Sequence, residues 1–167
     1  MATNIPPHNL REVVDAVIYR ITHQNATIED LMRFVPAPDF PTGGIIYRSN
    51  GIEEMYKTGR GRFEVAAKTE IVDDGKNGKS IIITEIPYDV IKIALVFSLD
   101  KLRHDKILPG IQEVRDESDI SGIRIVIDLK KDANVDAIYN YLMSKTQLVT
   151  GFSANMVAIV NGQPKTM

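Results

Sequence analysis

The 167-residue chain carries 20 lysine and arginine residues against 22 aspartate and glutamate residues, which gives a net charge of −2. This balance excludes a uniformly basic nucleic-acid-binding protein, so such a function would have to depend on a local basic patch. The lack of cysteine excludes disulfides and thiolate metal sites. The longest apolar run, at residues 93–97, is far too short to span a bilayer, and no signal peptide is recognisable. We therefore expect a cytoplasmic protein with no membrane partner.

The N-terminal arm places one apolar residue, Ile5, directly before Pro6 and Pro7. Each proline holds its φ at about −65° and favours an extended backbone in the residue before it. Ile5 is therefore expected to stand on a stiff arm, and an apolar residue presented in this way can insert between stacked bases and kink a duplex. The alternative is that Ile5 packs on a core near the start of the following helix, and these residues alone favour that alternative.

Two helices are predicted before a loop rich in proline and glycine at residues 36–44. Asn9 is a candidate N-cap of the first helix, and Thr27 with Asp30 resembles a capping box that opens the second helix over residues 28–34. A short strand at 45–47 and a short helix at 52–57 are expected to follow the loop. The apolar residues of the first helix follow helical spacing and are Leu10, Val13, Val14, Val17, Ile18 and Ile21.

The remainder of the chain alternates between strands and helices. It is predicted to contain strands at 62–72 and 80–86, a helix at 89–106, strands at 111–114 and 122–129, a helix capped by Asn134, and a closing strand at 152–160. This ββαββαβ order indicates an α+β fold, with a mostly antiparallel sheet, helices on one face and a helical segment before it. We therefore divide the chain into an N-terminal arm with two helices at 1–43 and an α+β domain at 44–167.

The strand after Gly61 is expected to present one charged face and one apolar face. The charged face holds Arg60, Arg62, Glu64, Ala66, Lys68 and Glu70, and the apolar face holds Phe63, Val65, Ala67, Thr69 and Ile71. Guanidinium groups match phosphate oxygens, and the neighbouring glycines let a ligand approach the backbone. The alternative is a solvated strand face with internal Arg–Glu pairs, which the residues alone favour.

No other pattern in the sequence indicates catalysis or a metal site. Asp116, Glu117 and Asp119 lack the spacing and the glycine of an EF-hand loop, so a solvated turn is the expected structure. The three histidines are dispersed and have no nucleophile and acid at recognisable spacing. The Gly-x-Gly at 59–61 precedes a strand, whereas a dinucleotide-binding glycine motif opens a helix. We therefore assign no catalytic residue, no metal ligand and no cofactor to this chain.

A series of short strings resembles the A subunit of bacterial type IIA DNA topoisomerases, the family of topoisomerase IV and gyrase. The strings occur in the same order as in that family and extend over essentially the whole chain. They are MATNIPPHNL at 1–10, PDFPTGG at 38–44, YKTGRG at 56–61, TEIPY at 84–88, VRDESD at 114–119, NMVA at 155–158 and NGQPK at 161–165.

The resemblance implies a role for the apolar arm and the basic residues. In such subunits, the isoleucine at the Ile5 position intercalates into the gate DNA, and the following tower domain touches the backbone of the bent duplex. The chain would then bind and bend double-stranded DNA during ATP-dependent double-strand passage. The resemblance implies that Arg60, Arg62 and Lys68 face phosphates. Arg48 and Lys57, expected near the charged strand face, and Lys92 complete the residues predicted to contact the DNA backbone.

The resemblance also implies what other parts of the enzyme supply. The attacking tyrosine lies N-terminal to the matched segment, so the full protein would be a type II topoisomerase while this chain alone neither cleaves nor relaxes DNA. Mg²⁺ and ATP act through the partner B subunit, and the A subunits form a homodimer.

The chain departs from the family pattern in three places: Ala66 stands where a basic residue is often found, Ile93, Ala94 and Leu95 follow Lys92 where cations are common, and Ala37 replaces glycine. The first two departures reduce the number of basic side chains on the predicted DNA-binding surface. The alternative function is a freestanding α+β regulatory module that binds a small molecule, since such layers serve many ligands.

Overall fold

The computed structural model describes residues 3–47, 49–73, 75 and 78–167. These residues form two units, each assembled from separate stretches of the chain. The first unit contains Met1–Pro41, Ile46–Glu64 and Gly151–Met167, and the second contains Thr42–Ile45 and Val65–Thr150. The units interleave along the chain, whereas the division predicted from the sequence is sequential.

The predicted helix starts are formed by the expected capping residues. Asn9 Oδ1 accepts from the backbone N–H groups of Arg11 and Glu12, and Thr27 and Asp30 form a reciprocal capping box. Asn134 caps the last helix by accepting from the Ala137 N–H at 3.0 Å. The helices are α1 (Leu10–Thr22), α2 (Ile28–Leu31), α3 (Asn50–Thr58), α4 (Lys92–His104) and α5 (Val135–Lys145).

Two helices are shorter than predicted, and the backbone explains both differences. After Leu31 the hydrogen bonds change to i→i−3 turns, with Phe34 N–H donating to the Leu31 carbonyl at 3.0 Å, so α2 does not continue to residue 34. The predicted helix at 89–106 begins only at Lys92, because Asp89 has a φ of 66°, which a right-handed helix excludes.

Among the described residues the strands form three sheets, so the single sheet expected from the sequence is wrong, although the α+β class with antiparallel pairing is confirmed. One sheet has the order β1-β2-β7, a second has the order β3-β4-β6-β5, and β8 pairs with β9. The strands are β1 (Ile45–Ile46), β2 (Arg60–Ala66), β3 (Lys68–Asp73), β4 (Lys79–Glu85), β5 (Ile111–Asp116), β6 (Ile125–Leu129), β7 (Val149–Asn155), β8 (Val157–Val160) and β9 (Gln163–Thr166).

The predicted strand at 62–72 is interrupted at Ala67, whose N–H donates to the Leu148 carbonyl at 2.7 Å. The alternation of faces is lost there: Ala66, expected on the charged face, is buried, and Ile71, expected in the core, is 44% exposed. The closing strand predicted at 152–160 is likewise divided into β7 and β8, and β9 was missed.

The hydrophobic core of the second unit lies between its four-stranded sheet and helices α4 and α5. Ile81 and Ile83 of β4 face the same cluster as Leu99 of α4 and Leu142 of α5, and all four are fully buried. Burying each such side chain stabilises the fold by about 1.5–3 kcal/mol. This cluster is therefore a main source of stability for the second unit.

The first unit is held by a smaller aromatic cluster. Phe152 of β7 lies 5.3 Å from Phe63 of β2 and 5.4 Å from Phe40, measured between ring centroids. By contrast, the apolar face of α1 is largely exposed, with Ile21 at 70%. No helix in the described ranges combines the length and apolar character needed to cross a membrane.

Candidate nucleic-acid interface

Ile5 is 51% exposed and is flanked by residues that are fixed to the first unit. Asn4 forms an isolated antiparallel bridge with Asn155, with both backbone hydrogen bonds at 2.9 Å. The Asn4 side-chain Nδ2 also donates to the Ser153 carbonyl at 2.7 Å. Pro6, on the other side, is buried. The arm therefore holds an exposed apolar side chain between two fixed residues. This agrees with the stiff arm expected from Pro6 and Pro7 and not with the alternative, favoured by those residues alone, in which Ile5 packs on a core.

The residues after Ile5 are tied to the body of the first unit by hydrogen bonds to Asp39 and Tyr56. The Pro7 carbonyl accepts from the Asp39 N–H at 2.9 Å, and Asn9 Nδ2 donates to Asp39 Oδ2 at 3.0 Å. His8 Nδ1 lies 2.8 Å from the Pro6 carbonyl and His8 Nε2 lies 2.8 Å from the Tyr56 hydroxyl of α3. The arm is therefore connected to α3 as well as to β7.

The turn between α3 and β2 determines how the strand that carries Arg60 and Arg62 is placed. Gly59 ends α3 with a φ of 74°, a left-handed conformation that glycine adopts without steric cost. A Cβ at Gly51 would overlap the carbonyl oxygen of Arg62, and one at Gly61 would overlap the carbonyl oxygen of Gly51. The helix and the strand therefore lie backbone to backbone, which only these glycines permit.

Arg60 and Arg62 are both carried on the same face of β2, with Arg62 directed over β7. A Cβ at Gly151 of β7 would lie 3.0 Å from Nη2 of Arg62, so the guanidinium lies directly over this glycine. Within the described part of the chain, neither arginine forms an ion pair with a carboxylate. Both guanidinium groups therefore keep their donors available for an external anion.

Lys57, in contrast, is held by two carboxylates of the first unit. Its Nζ lies 2.7 Å from Glu29 of α2 and 2.6 Å from Glu53, one turn earlier in α3. The hydrogen bond to Glu29, followed by that to Glu53, raises the pKa of Lys57. The hydrogen bond from Lys57 lowers the pKa of Glu29. The predicted role of Lys57 at a phosphate would require the phosphate to compete with both carboxylates.

The remaining predicted basic residues lie outside the first unit or outside the described residues. Lys68 and Lys92 belong to the second unit, where Lys68 lies 3.5 Å from Glu85 and Lys92 lies 2.8 Å from Asp116. Arg48 lies outside the described residues. The structure thus brings together Ile5, Lys57, Arg60 and Arg62 within one unit, and the DNA contacts of all seven residues stay predictions.

The acidic loop of the second unit is occupied by its own hydrogen bonds and ion pairs. Lys92 and then Ser118 lower the pKa of Asp116 to about 2. Glu117 pairs with Arg115 at 3.0 Å and with Arg124 at 3.1 Å. Among the residues that the structure describes, no three histidine or carboxylate side chains are grouped so as to hold a metal ion.

Sequence reasoning missed the residues that hold the arm in place. Asn4 and Ser153 are 149 positions apart, so no local pattern could relate them. His8 was given no role because its partner is Tyr56, which is 48 positions away. The only sequence signal at these positions is their presence in or beside the strings MATNIPPHNL, YKTGRG and NMVA.

Comparison with known proteins matches the whole chain to one family. The family model for the A subunit of DNA gyrase/topoisomerase IV matches residues 1–167. The chain therefore belongs to the gyrase and topoisomerase IV A-subunit family, as the ordered strings predicted.

Individual relatives from bacteria and a plant are about equally similar. The chain is 53% identical over 98% of its length to the DNA topoisomerase 4 A subunit of Streptococcus pyogenes, and covers 20% of that protein. It is 49% identical over 100% of its length to the DNA gyrase A subunit of Salmonella typhimurium, covering 19% of it. It is 50% identical over 100% of its length to the chloroplastic/mitochondrial DNA gyrase A subunit of Nicotiana benthamiana, and covers 18% of that protein. The chain thus spans about a fifth of the length of these relatives.

Proposed function

We propose that residues 1–167 bind and bend the gate DNA within the A subunit of a type IIA topoisomerase, during ATP-dependent double-strand passage. Ile5 inserts between base pairs, and Arg60 and Arg62 contact the phosphate backbone beside it. The observation that carries this proposal is the presentation of Ile5: an exposed aliphatic side chain whose neighbours Asn4 and Pro6 are both fixed to the unit that holds the two arginines.

Neither element is sufficient energetically without the other. Unstacking a base step costs a few kcal/mol, and smooth bending of a binding site costs on the order of 1–6 kcal/mol. A charge-assisted hydrogen bond to phosphate contributes about 1.5–3 kcal/mol. Two free guanidinium groups, each able to form more than one such bond, can offset much of the deformation that one apolar wedge requires.

The full enzyme needs parts that this chain is not proposed to supply. The tyrosine that attacks DNA belongs to another segment of the A subunit, and Mg²⁺ and ATP act through the B subunit. The A subunits work as a homodimer in the cytoplasm.

The proposal is tested by measuring bending of a duplex labelled with fluorophores at both ends. The protein is the A subunit that carries these residues, assembled with its B subunit. Ile5→Ala is expected to abolish most of the bending while the steep salt dependence of binding remains, because the phosphate contacts are kept. Ile159→Ala, which truncates another exposed isoleucine of the first unit, is the matched control and should bend DNA normally.

Unchanged bending in Ile5→Ala would overturn the wedge. Binding of a small metabolite that does not respond to salt, with no affinity for duplex DNA, would instead support the regulatory-module alternative.

A further inference from the structure

His8 connects the arm that carries Ile5 to helix α3 through both of its ring nitrogens. A carbonyl oxygen can only accept, so His8 Nδ1–H donates to the Pro6 carbonyl at 2.8 Å. In the neutral imidazole this leaves Nε2 to accept from the Tyr56 hydroxyl, also at 2.8 Å. One side chain thereby fixes the position of Pro6, the residue that follows Ile5, relative to α3.

The Tyr56 side chain lies in a protected environment suited to a lasting contact. It lines an apolar groove of about 330 Å³ beneath α1 and α2, with Val13, Leu31 and Met156 among the lining residues. Burial, and then the charge of Glu12, raises the pKa of the Tyr56 hydroxyl. The hydroxyl therefore stays protonated and remains a hydrogen-bond donor to His8.

Tyr56 also lies next to the basic strand in sequence and in structure. It precedes the Gly59 cap of α3 by one turn, and Arg60 begins β2 immediately after that glycine. The backbone contact of Gly51 with Arg62 fixes α3 against β2. The same helix therefore sets the position of the arginines directly and of the arm through Tyr56.

We propose that the Tyr56–His8 hydrogen bond positions the Ile5 wedge relative to the phosphate-binding arginines. Ile5 then meets the base step that it opens while the arginines hold the phosphates beside that step. This inference rests on the proposed function and assigns His8 and Tyr56 as positioning residues, neither of which touches DNA. Losing the hydrogen bond leaves the arginines in place and the Asn4–Asn155 bridge intact, but it removes the link from Pro6 to α3 and so loosens the orientation of Ile5. Duplex binding then persists while wedge insertion becomes less favourable.

The test compares affinities of the assembled enzyme for an intact duplex and for the same duplex with a nick at the kinked step. A nick removes much of the free-energy cost of deforming the duplex. A mispositioned wedge therefore weakens binding to the intact duplex more than binding to the nicked duplex. Tyr56→Phe is expected to raise the ratio of nicked to intact affinity roughly five- to tenfold, the effect of one part-buried hydrogen bond. His8→Leu should raise the ratio equally, and the double variant should raise it no further.

The matched control is Tyr19→Phe, because the Tyr19 contacts with His23 and Phe34 are made by its ring. Its ratio should equal that of the wild type. A variant that merely destabilises the fold would weaken both affinities alike and leave the ratio unchanged.

Ile5→Ala separates failure of this inference from failure of the proposed function. If Ile5→Ala leaves the ratio unchanged, the wedge itself is wrong. If Ile5→Ala raises the ratio and Tyr56→Phe does not, the wedge stands and the positioning pair is overturned. A further rise on adding Tyr56→Phe to Ile5→Ala would also overturn it, because Tyr56 would then act by another route.

Discussion

The two units of the chain differ in where their apolar side chains lie. The second unit buries Ile81, Ile127 and Leu142 completely between a four-stranded sheet and two helices. The first unit leaves most of the apolar face of α1 exposed and also exposes Ile5. Each unit also contains the opposite case, since Met55 of the first unit is fully buried and Phe97 of the second is 72% exposed. The first unit differs in that many of its exposed apolar side chains form the face of one helix, α1.

Ion pairs occur in both units, and in the first unit they hold Arg33 and Lys57. In the second unit, Lys68, Lys92 and Arg115 are paired with carboxylates. In the first unit, Arg60 and Arg62 have no carboxylate partner among the described residues. These two cations belong to the same unit as the exposed Ile5.

The largest expected effect is on the core of the second unit. Leu142→Ala should lower the free energy of unfolding of the chain by about 2–5 kcal/mol, because it leaves a cavity in a fully buried cluster. Val17→Ala on the exposed face of α1 should change it by less than about 0.5 kcal/mol. Urea unfolding of the 167-residue chain measures both values. Equal losses in the two variants would remove the difference between the units.

Within the first unit, the largest effect is expected at the contact between α3 and β2. Gly51→Ala places a Cβ on the Arg62 carbonyl oxygen, so the helix must move away from the strand. We expect a loss of about 1–3 kcal/mol in unfolding free energy and weaker duplex binding, because Arg62 moves with its backbone.

The control for this variant is Asn50→Ala, at the neighbouring exposed position of α3. Thermal unfolding and duplex binding are measured on both. Normal duplex binding by Gly51→Ala would mean that the contact between α3 and β2 does not position Arg62.

The features that sequence reasoning found were those determined by nearby residues. The caps at Asn9, Thr27 and Asn134 depend on residues two or three positions away, so their geometry follows from local chemistry. The stiffness of Pro6 and Pro7 predicted an arm that displays Ile5, but these residues alone favoured packing of Ile5 on a core, so its exposure was not determined by the local sequence. The alternation of Arg60 and Arg62 on one face holds because both lie in the regular part of β2.

The features that were missed depend on distant partners. The end of the alternation at Ala67 is caused by the Leu148 carbonyl, which belongs to the approach to β7. Of the two partners of Lys57, Glu53 lies at i−4 and follows from helix geometry, whereas Glu29 lies on another helix. The DNA contacts implied for Lys57 therefore rested on resemblance and could not take this competition into account.

A smaller effect distinguishes the free arginines from the paired lysine of the first unit. Each phosphate contact contributes about 0.9 to the slope of log affinity against log salt. Arg60→Ala and Arg62→Ala in the assembled enzyme should each lower the slope by about that amount. Lys57→Gln should lower it less, because a phosphate has to displace Glu29 and Glu53 before Lys57 can bind it.

Duplex affinity is measured at four or more salt concentrations for each of these variants. Equal changes in slope for Lys57→Gln and the arginine variants would show that the ion pairs open fully on DNA.

The smallest effect concerns the paired charges of the second unit and is seen only at low pH. Hydrogen bonds from Lys92 and then Ser118 lower the pKa of Asp116 from 3.8 to about 2 in the folded chain. The ionised carboxylate therefore stabilises the fold above pH 3.8, and this contribution is lost as the pH falls through about 2. A carboxyl-carbon NMR titration of the 167-residue chain should place the Asp116 midpoint near the lower value, and Lys92→Met should move it back toward 3.8. A wild-type midpoint already near 3.8 would mean that Lys92 does not hold the Asp116 carboxylate, and the contrast between the paired Lys92 and the unpaired Arg60 and Arg62 would disappear.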